Sequence, residues 1–439
     1  RRIGRSSLEA MQEGSRIHRK IQKRMGANYT PEVSLSIDIP ITRNGVEFEI
    51  KVEGRCDGIL YEKNKDTNLP SYLIDEIKGV YMDLDYLKEP IQVHKAQAMC
   101  YGYMYGAQEN LEEVGIRITY CNLETESIKY FDESFKTSKL KEWFYDLVNE
   151  YSKWAYWQYN WSIIRNQSIK DLSFPFEYRQ GQKNLVADVY RSIIREKRLF
   201  IQAPTGVGKT IATLFPTIKG IGEKEVSKIF YLTAKTITRS VAEETVKILR
   251  QKALSLKALT LTAKDKVCIL EKPDCNPVAC QRAKGHFDRV NDCIYELINK
   301  EDEINRETIL KYADIYKVCP FEMSLDVSLW VDLIICDYNY AFDPNVYLKR
   351  FFSDKKQDYV FLIDEAHNLV DRASNMYSAS LYKKDFLEVK KIIGKKSNKL
   401  SRSLSACNKD LLKWKKEWEG LKEVFDISSF VFHLMNLLV

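Results

Sequence analysis

Glycine and proline are scarce in this sequence, 18 and 11 of 439 residues, and no apolar run reaches the length of a membrane-spanning helix. So little of either residue excludes collagen-like, mucin-like and largely disordered chains. The longest greasy stretch, Phe430 to Val439, is broken by His433 and Asn436. The charged start Arg1-Arg2-Ile3-Gly4-Arg5 lacks the apolar segment of a secretory signal. A large excess of one charge is missing too, since 68 Lys and Arg against 61 Asp and Glu leave only +7. Residues 381–420 alone, with 12 basic and 5 acidic side chains, account for that excess. Basicity of the whole chain therefore does not argue for nucleic acid. The 381–420 segment reads either as a phosphate-contacting face or as a solvated helix pair, with Leu387, Ile392, Leu404, Leu411, Leu412 and Trp418 at helical spacings. The length predicts several domains at roughly 100–200 residues each, in a soluble, cytoplasmic protein. Position 1 is not Met and the chain stops inside an apolar run, so a fragment is expected.

Disulfides are not expected either. Cys56, Cys100, Cys121, Cys336 and Cys407 are isolated and read as small packing hydrophobes. Cys268, Cys275 and Cys280 cluster in a polar, loop-like stretch, with Cys293 and Cys319 downstream. Without a secretory signal, such a cluster points to metal or iron-sulfur ligation in a reducing compartment.

What is present is an alternation of helix and strand signals. A helix is expected over Ser7 to Lys23, then period-two apolar residues at 33–39 and 46–52 around the turn Asn44-Gly45, which together predict a hairpin. Ser71 to Lys78 reads as a strand, Glu89 to Ala107 as a helix, and 116–121 with 128–131 as a strand pair. A helix follows from Lys139 to about Ile164, with Trp154, Trp157 and Trp161 on one face, as a packing stripe closing this first domain rather than a base-stacking platform. Asn166 to Phe176 reads as a linker. Beyond it, short apolar runs at 199–202, 229–232, 331–335 and 359–363 have the character of parallel strands covered on both faces, which predicts a doubly wound α/β sheet.

Directly after the first of those runs comes Ala203-Pro204-Thr205-Gly206-Val207-Gly208-Lys209-Thr210. Gly206 and Gly208 let backbone N–H groups turn toward phosphate oxygens, Lys209 neutralises β/γ charge, and the Thr210 hydroxyl can reach magnesium. After the last run stands Asp364-Glu365-Ala366-His367. Asp364 can hold magnesium through water, and Glu365 can polarise the water that attacks the γ-phosphate. ATP binding follows from the two motifs together.

Asp-Glu-Ala-His after such a loop resembles superfamily 2 helicases. The intervening cysteines, with Val318-Cys319-Pro320-Phe321-Glu322 and Cys336-Asp337-Tyr338-Asn339-Tyr340, resemble the XPD/DinG iron-sulfur group, over about residues 174 to 439. The resemblance implies a RecA-like motor domain at 174–259 and 323–374, a [4Fe-4S] insertion at 260–322 held by Cys268, Cys275, Cys280 and Cys319, and the start of a helical arch at 375–439. Zinc is the alternative occupant, because the spacing of the first three cysteines departs from other members. It also implies nucleotide contacts from Arg179, Gln182 and His367, DNA-backbone contact near Thr233 to Thr236, single-stranded or forked DNA as partner, 5' to 3' translocation, and a second motor domain that this chain does not contain.

The N-terminal part carries a second constellation. Asp57 in Gly54-Arg55-Cys56-Asp57 and Glu76-Ile77-Lys78 end neighbouring strands, so two carboxylates and an ammonium can meet around a divalent ion. With His18 before them and Gln97 and Tyr101 one helical turn apart after them, the order resembles RecB-type nucleases of the PD-(D/E)XK fold, over about residues 5 to 135. The resemblance implies Mg2+ or Mn2+ on His18, Asp57, Glu76 and the carbonyl after Glu76, Lys78 assisting the water, and Gln97 and Tyr101 orienting the site and DNA. The expected organisation is a nuclease-like domain at 1–135, a connector at 136–173 and the motor beyond, acting in DNA repair. A DNA-gripping module with a sensing cluster, and a helicase acting on RNA, are the alternatives.

Overall fold

The computed structural model describes residues 7–63, 70–204, 206–223, 225–234, 236–352, 357–393, 397–417 and 426–437. They fall into two units, one of residues 1–231, 239–336 and 357–362, the other of residues 232–238, 337–356 and 363–439.

The first unit begins with helix α1 (Ser7–Gln22), then strands β1 (Tyr29–Arg43), β2 (Val46–Lys63) and β3 (Pro70–Val80). Helix α2 (Gln92–Gln108) precedes β4 (Glu113–Asn122), β5 (Ile128–Lys136) and the long helix α3 (Thr137–Asp171). The five strands form one sheet in the order β1-β2-β3-β4-β5, antiparallel except for the parallel pair β3 and β4. Asn44 and Gly45 join β1 to β2 with φ of 51° and 77°, the left-handed pair that a two-residue hairpin turn demands. A parallel neighbour needs a crossover, and α2 supplies it. Ala98, Tyr103 and Met104 of α2 pack with Ile74, Ile116 and Ile118 of the sheet, and Leu140, Phe144 and Val148 of α3 join the same core. Ile17 and Ile21 of α1 pack with Ile77 and Cys121.

The unit continues with α4 (Gln182–Ile194), α5 (Lys209–Gly222), β6 (Lys228–Thr233), α6 (Thr236–Arg250), β7 (Ala258–Thr260), α7 (Lys264–Val267) and α8 (His286–Lys300). There follow β8 (Glu303–Ile304), α9 (Arg306–Tyr316), α10 (Pro320–Val327), β9 (Leu333–Asp337) and β10 (Tyr359–Ile363), while α11 (Asn339–Phe342) belongs to the second unit. These five strands make a second sheet, ordered β10-β6-β9-β7-β8, in which β7 runs parallel to both β8 and β9. Ile229 and Tyr231, Leu333 and Ile335, and the apolar face of α5 form its core.

Three expectations need correction. The run 199–202 forms no strand, and Phe200 is 91% exposed, because the stretch pairs with none of the five strands. Hydrophobicity alone cannot tell a paired strand from an unpaired run. The linker expected from Asn166 is helical to Asp171, since Ile169 is buried in the second core and Lys219 donates to the Ile169 and Lys170 carbonyls that end α3. The tryptophan stripe does not close the first domain. Trp154 and Trp157 pack on Trp330, with centroids 4.6 and 5.9 Å apart, and Lys257 lies 4.3 Å above Trp161. The first half of α3 thus buries its apolar face on one core and the second half on the other.

In the second unit, α12 (Leu369–Met376), α13 (Lys383–Ile393), α14 (Asn398–Glu417) and α15 (Ser428–Met435) follow the acidic motif. Phe386, Leu404, Cys407 and Phe430 form their small core, and Lys390, Lys415 and Lys416 fall in last helical turns. Trp418 lies outside the described residues. No described helix is long and apolar enough to cross a membrane.

The tie between α3 and the second sheet is Asp332, 3% exposed. Its carboxylate accepts from Arg165 Nη1 at 2.7 Å, Trp161 Nε1 at 3.1 Å and the Lys257 amide at 2.9 Å. Removing one partner of such a buried pair leaves the other charge uncompensated, at a cost of roughly 3–5 kcal/mol. Asp332→Ala should lower the stability of the chain by about 3 kcal/mol on that basis, measured by urea denaturation; a loss below about 1 kcal/mol would show that the anchor is dispensable.

Candidate functional site

Six of the residues picked from the N-terminal sequence converge. β2 presents Asp57, β3 presents Glu76 and Lys78, α1 presents His18, and α2 presents Gln97 and Tyr101. Glu76 and Lys78 are two apart on a strand and share a face. Lys78 Nζ donates to Glu76 Oε1 at 2.5 Å and Gln97 Oε1 at 3.1 Å. His18 Nδ1 lies 3.1 Å from Asp57 Oδ1, and Asp57 Oδ2 accepts the Ile77 amide at 2.7 Å. Gln97 also bonds Tyr101. Gly54 lets that ring lie on β2, because a Cβ there would meet the Tyr101 hydroxyl at 2.8 Å.

The electrostatics would suit an added positive charge. Glu76 is 2% exposed, and burial first, then the nearby Asp57 charge, push its carboxyl up to about 7 despite Lys78. Its Oε2 is buried without a hydrogen-bond partner, a state that costs about 1–3 kcal/mol when left so. Burial pulls His18 down, but the bond to Asp57 and its charge outweigh that and leave the imidazole above its usual value. Two carboxylates, one with an orphaned oxygen, and an imidazole are the donor types that a hard divalent ion takes. Among the described residues, no three His, Cys, Asp or Glu side chains, His18, Asp57 and Glu76 included, are gathered as a group that could hold a metal ion.

Beside these residues opens a cavity of about 400 Å³ lined by His18, Arg19, Glu32, Arg55 and Asp57. Glu32 adopts φ of 57° and accepts from Arg55 Nε at 2.8 Å. Gln22 Nε2 bridges Glu32 at 3.0 Å and the Asp57 carbonyl at 2.9 Å. Sequence reasoning missed these four residues. Gln22 stands one helical turn after His18 and was findable from that spacing; the turn of chain that aims Glu32 carries no signature.

In the phosphate loop, Gly206 and Gly208 have φ of 84° and 78°, and Gly208 caps α5, so the helix opens onto the loop. Lys209 Nζ rests on the Ala203 carbonyl at 3.2 Å, and Thr210 follows it in the first turn of α5. Thr205 lies outside the described residues. Gln182, 3% exposed, donates to the Val207 carbonyl at 2.8 Å and accepts the Arg179 amide at 3.1 Å. Phe174 and Tyr178 stack with centroids 4.3 Å apart. Arg179 and Gln182 are therefore joined to each other and to the loop.

In the second unit, Asp364 continues the ladder through its amide to the Leu232 carbonyl at 3.0 Å. Glu365 then takes a left-handed conformation, φ 52° and ψ 45°, and His367 Nδ1 lies 3.4 Å from its carboxylate. In the stretch thought to meet the DNA backbone, Thr233 is buried, and Lys235 lies outside the described residues.

The four cysteines are brought together only in part. Cys319 caps α10 without a side-chain hydrogen bond to the helix; burial raises its thiol, against the nearby Glu322 and Phe321 backbone, and Cys275 lies near enough to add to the rise. Cys268 is half-buried, Cys280 buried and Cys275 exposed, and no set of three forms a metal-holding group among the described residues. His286 Nδ1 accepts the Cys319 amide at 3.2 Å while its buried Nε2 has no partner. Cys293 is a packing residue, its sulfur against Met323 and the Tyr312 carbonyl.

Residues 232–386 match the DEAD_2 family. The chain is similar to the regulator of telomere elongation helicase 1 homolog of Caenorhabditis elegans, 24% identical over 252 residues, 48% of this chain and 25% of that protein. It is similar to a probable ATP-dependent helicase of Methanocaldococcus jannaschii, 26% identical over 206 residues, 46% of this chain and 30% of that one. The helicase subunit XPD/RAD3 of the general transcription and DNA repair factor IIH of Saccharomyces cerevisiae is 24% identical over 237 residues, 46% of this chain and 30% of that one. The chain thus spans about a quarter to a third of the length of these relatives. Among solved structures, a truncated XPD aligns with TM-score 0.37 and 22% identity, covering 53% of this chain and 65% of that one.

Glu76 generates a prediction. Folded, it keeps its proton to about 7, against a usual value of 4.5. Between those values the folded state binds more protons than the unfolded one, so this group's contribution to stability falls as pH rises. Glu76→Gln should flatten that fall in urea denaturation with chelator present; an unchanged slope would mean that Glu76 ionises freely.

Proposed function

We propose that this chain joins an ATP-driven DNA helicase motor of the XPD/DinG type to an N-terminal metal-dependent DNA nuclease, acting in DNA repair. The observation that carries the motor is the DEAD_2 match over 232–386, which contains the acidic turn Asp364 to His367. The curated relatives named above are helicases, and the phosphate loop supplies the other half of the chemistry. In this reading Lys209 neutralises phosphate charge, Thr210 offers its hydroxyl to magnesium, Asp364 supports that ion through water and Glu365 polarises the attacking water. Arg179, Gln182 and His367 complete the nucleotide contacts.

The nuclease reading rests on the convergence of Asp57, Glu76, Lys78 and Gln97 at one end of a sheet with this strand order. His18, Asp57 and Glu76 would hold Mg2+ or Mn2+, which supplies Lewis acidity toward the scissile phosphate. Lys78, bonded to Glu76, would assist the attacking water by donating a hydrogen bond to it, with Gln97 holding the ammonium through its own bond to Tyr101. The open cleft beside Asp57 suits a strand of DNA, with Arg19 and Arg55 on its wall. A [4Fe-4S] cluster on Cys268, Cys275, Cys280 and Cys319 belongs to the same proposal. Its support is the helicase resemblance and the place of Cys319 at the start of α10, with Cys275 nearby.

In the full-length protein, Lys78→Ala should reduce Mn2+-dependent DNA cleavage by about 100-fold or more and leave DNA-stimulated ATP hydrolysis intact. Lys209→Ala should do the reverse. Cleavage that survives Lys78→Ala would reduce the N-terminal half to a DNA-gripping module, and stimulation by RNA but not DNA would redirect the motor to RNA. An anaerobic preparation should be brown with about four iron atoms per chain; zinc or no metal would remove the cluster.

A further inference from the structure

The turn that follows β10 is held in a conformation its sequence does not favour. Glu365 is neither Gly nor Asn, yet its φ is 52°, a region that non-glycine residues keep only when their surroundings over-determine it. Its carbonyl accepts from the Asn368 amide at 2.9 Å, Asn368 Nδ2 at 3.1 Å and the Tyr338 hydroxyl at 3.1 Å. The same hydroxyl reaches the Asp364 carbonyl. Tyr338 is fully buried. Its burial, with Asp364 and Glu365 nearby, pushes its phenol up to about 12, so it remains a donor at any working pH.

The residue before it completes a bracket. Both oxygens of Asp337 accept from Arg372 on α12 at 2.6 Å, and Oδ1 also accepts the Asn339 amide at 2.9 Å. One short segment, Asp337 and Tyr338, therefore grips the chain at Asp364 and Glu365 and again at Arg372.

We infer that Tyr338 is a positioning residue for ATP hydrolysis, its hydroxyl fixing the left-handed backbone that aims the Glu365 carboxylate at the attacking water. The inference deepens the ATPase reading and rests on it. Tyr338 touches backbone carbonyls and not the Glu365 carboxylate, so its loss disturbs aim and leaves nucleotide binding intact. A residue that merely supported the fold would lower folded yield and weaken binding together with turnover.

The test is steady-state ATP hydrolysis by the full-length protein with saturating single-stranded DNA. Tyr338→Phe keeps the ring and removes only the donor. It should lower kcat about tenfold, the scale of one lost buried hydrogen bond, with KM for ATP and the affinity for a fluorescent ATP analogue within about twofold of wild type. Asn368→Ala removes a second donor to the same carbonyl and should lower kcat in the same selective way; it carries the test if Tyr338→Phe does not fold. Unchanged kcat, or kcat falling with an equal loss of ATP affinity, overturns the inference. Lys209→Ala separates the two levels. If Lys209→Ala is inactive and Tyr338→Phe is not impaired, only the role of Tyr338 fails; if Lys209→Ala turns over ATP like wild type, the ATPase reading fails and takes the inference with it.

Discussion

Asp332 is the interaction on which the first unit depends. A carboxylate at 3% exposure is costly unless its lone pairs are filled, and here a guanidinium, an indole N–H and a backbone amide fill them. Two of those donors come from α3, whose first half already belongs to the N-terminal core. The consequence is mechanical: one helix of 35 residues is committed to both sheets, and the tryptophans that read as a lid for one sheet serve as its seat on the other.

Both chemical centres store unfavourable local states. At the N-terminal site the cost is electrostatic: Glu76 is buried with an orphaned oxygen, and a single ammonium does not lower its carboxyl to the ordinary range. At the acidic turn the cost is conformational, a left-handed glutamate. Under the proposed function, a divalent ion would offset the first cost and a bound nucleotide the second. The cysteine segment differs. Burial holds Cys319 as a thiol, and among the described residues its companions are not drawn in around it as a metal-holding group.

Much of the architecture was legible in the sequence because it followed from periodicity and turn chemistry. The Asn44-Gly45 hairpin, the Glu-x-Lys strand and the glycine loop before a helix each needed a particular residue at a particular place. Converging side chains were legible wherever the elements carrying them were: His18, Asp57, Glu76, Lys78 and Gln97 meet because strand parity and helix pitch leave them little choice. What escaped was set by tertiary context. Apolar runs look alike whether or not a neighbouring strand accepts them, so from sequence 199–202 reads as paired. Trp154 and Trp157 show a helical stripe, but a stripe does not name the surface that it covers. Glu32 and Tyr338 act through a backbone twist and a long-range hydroxyl, neither of which leaves a local pattern.

The account stands most directly on the claim that the N-terminal constellation is built around a divalent ion. A crystal of this chain grown with Mn2+ and measured for anomalous scattering should show a single strong peak within coordination distance of Asp57 and Glu76, with Lys78 still bonded to Glu76. A difference map with no such peak, and Glu76 Oε2 still without a partner at saturating Mn2+, would contradict it.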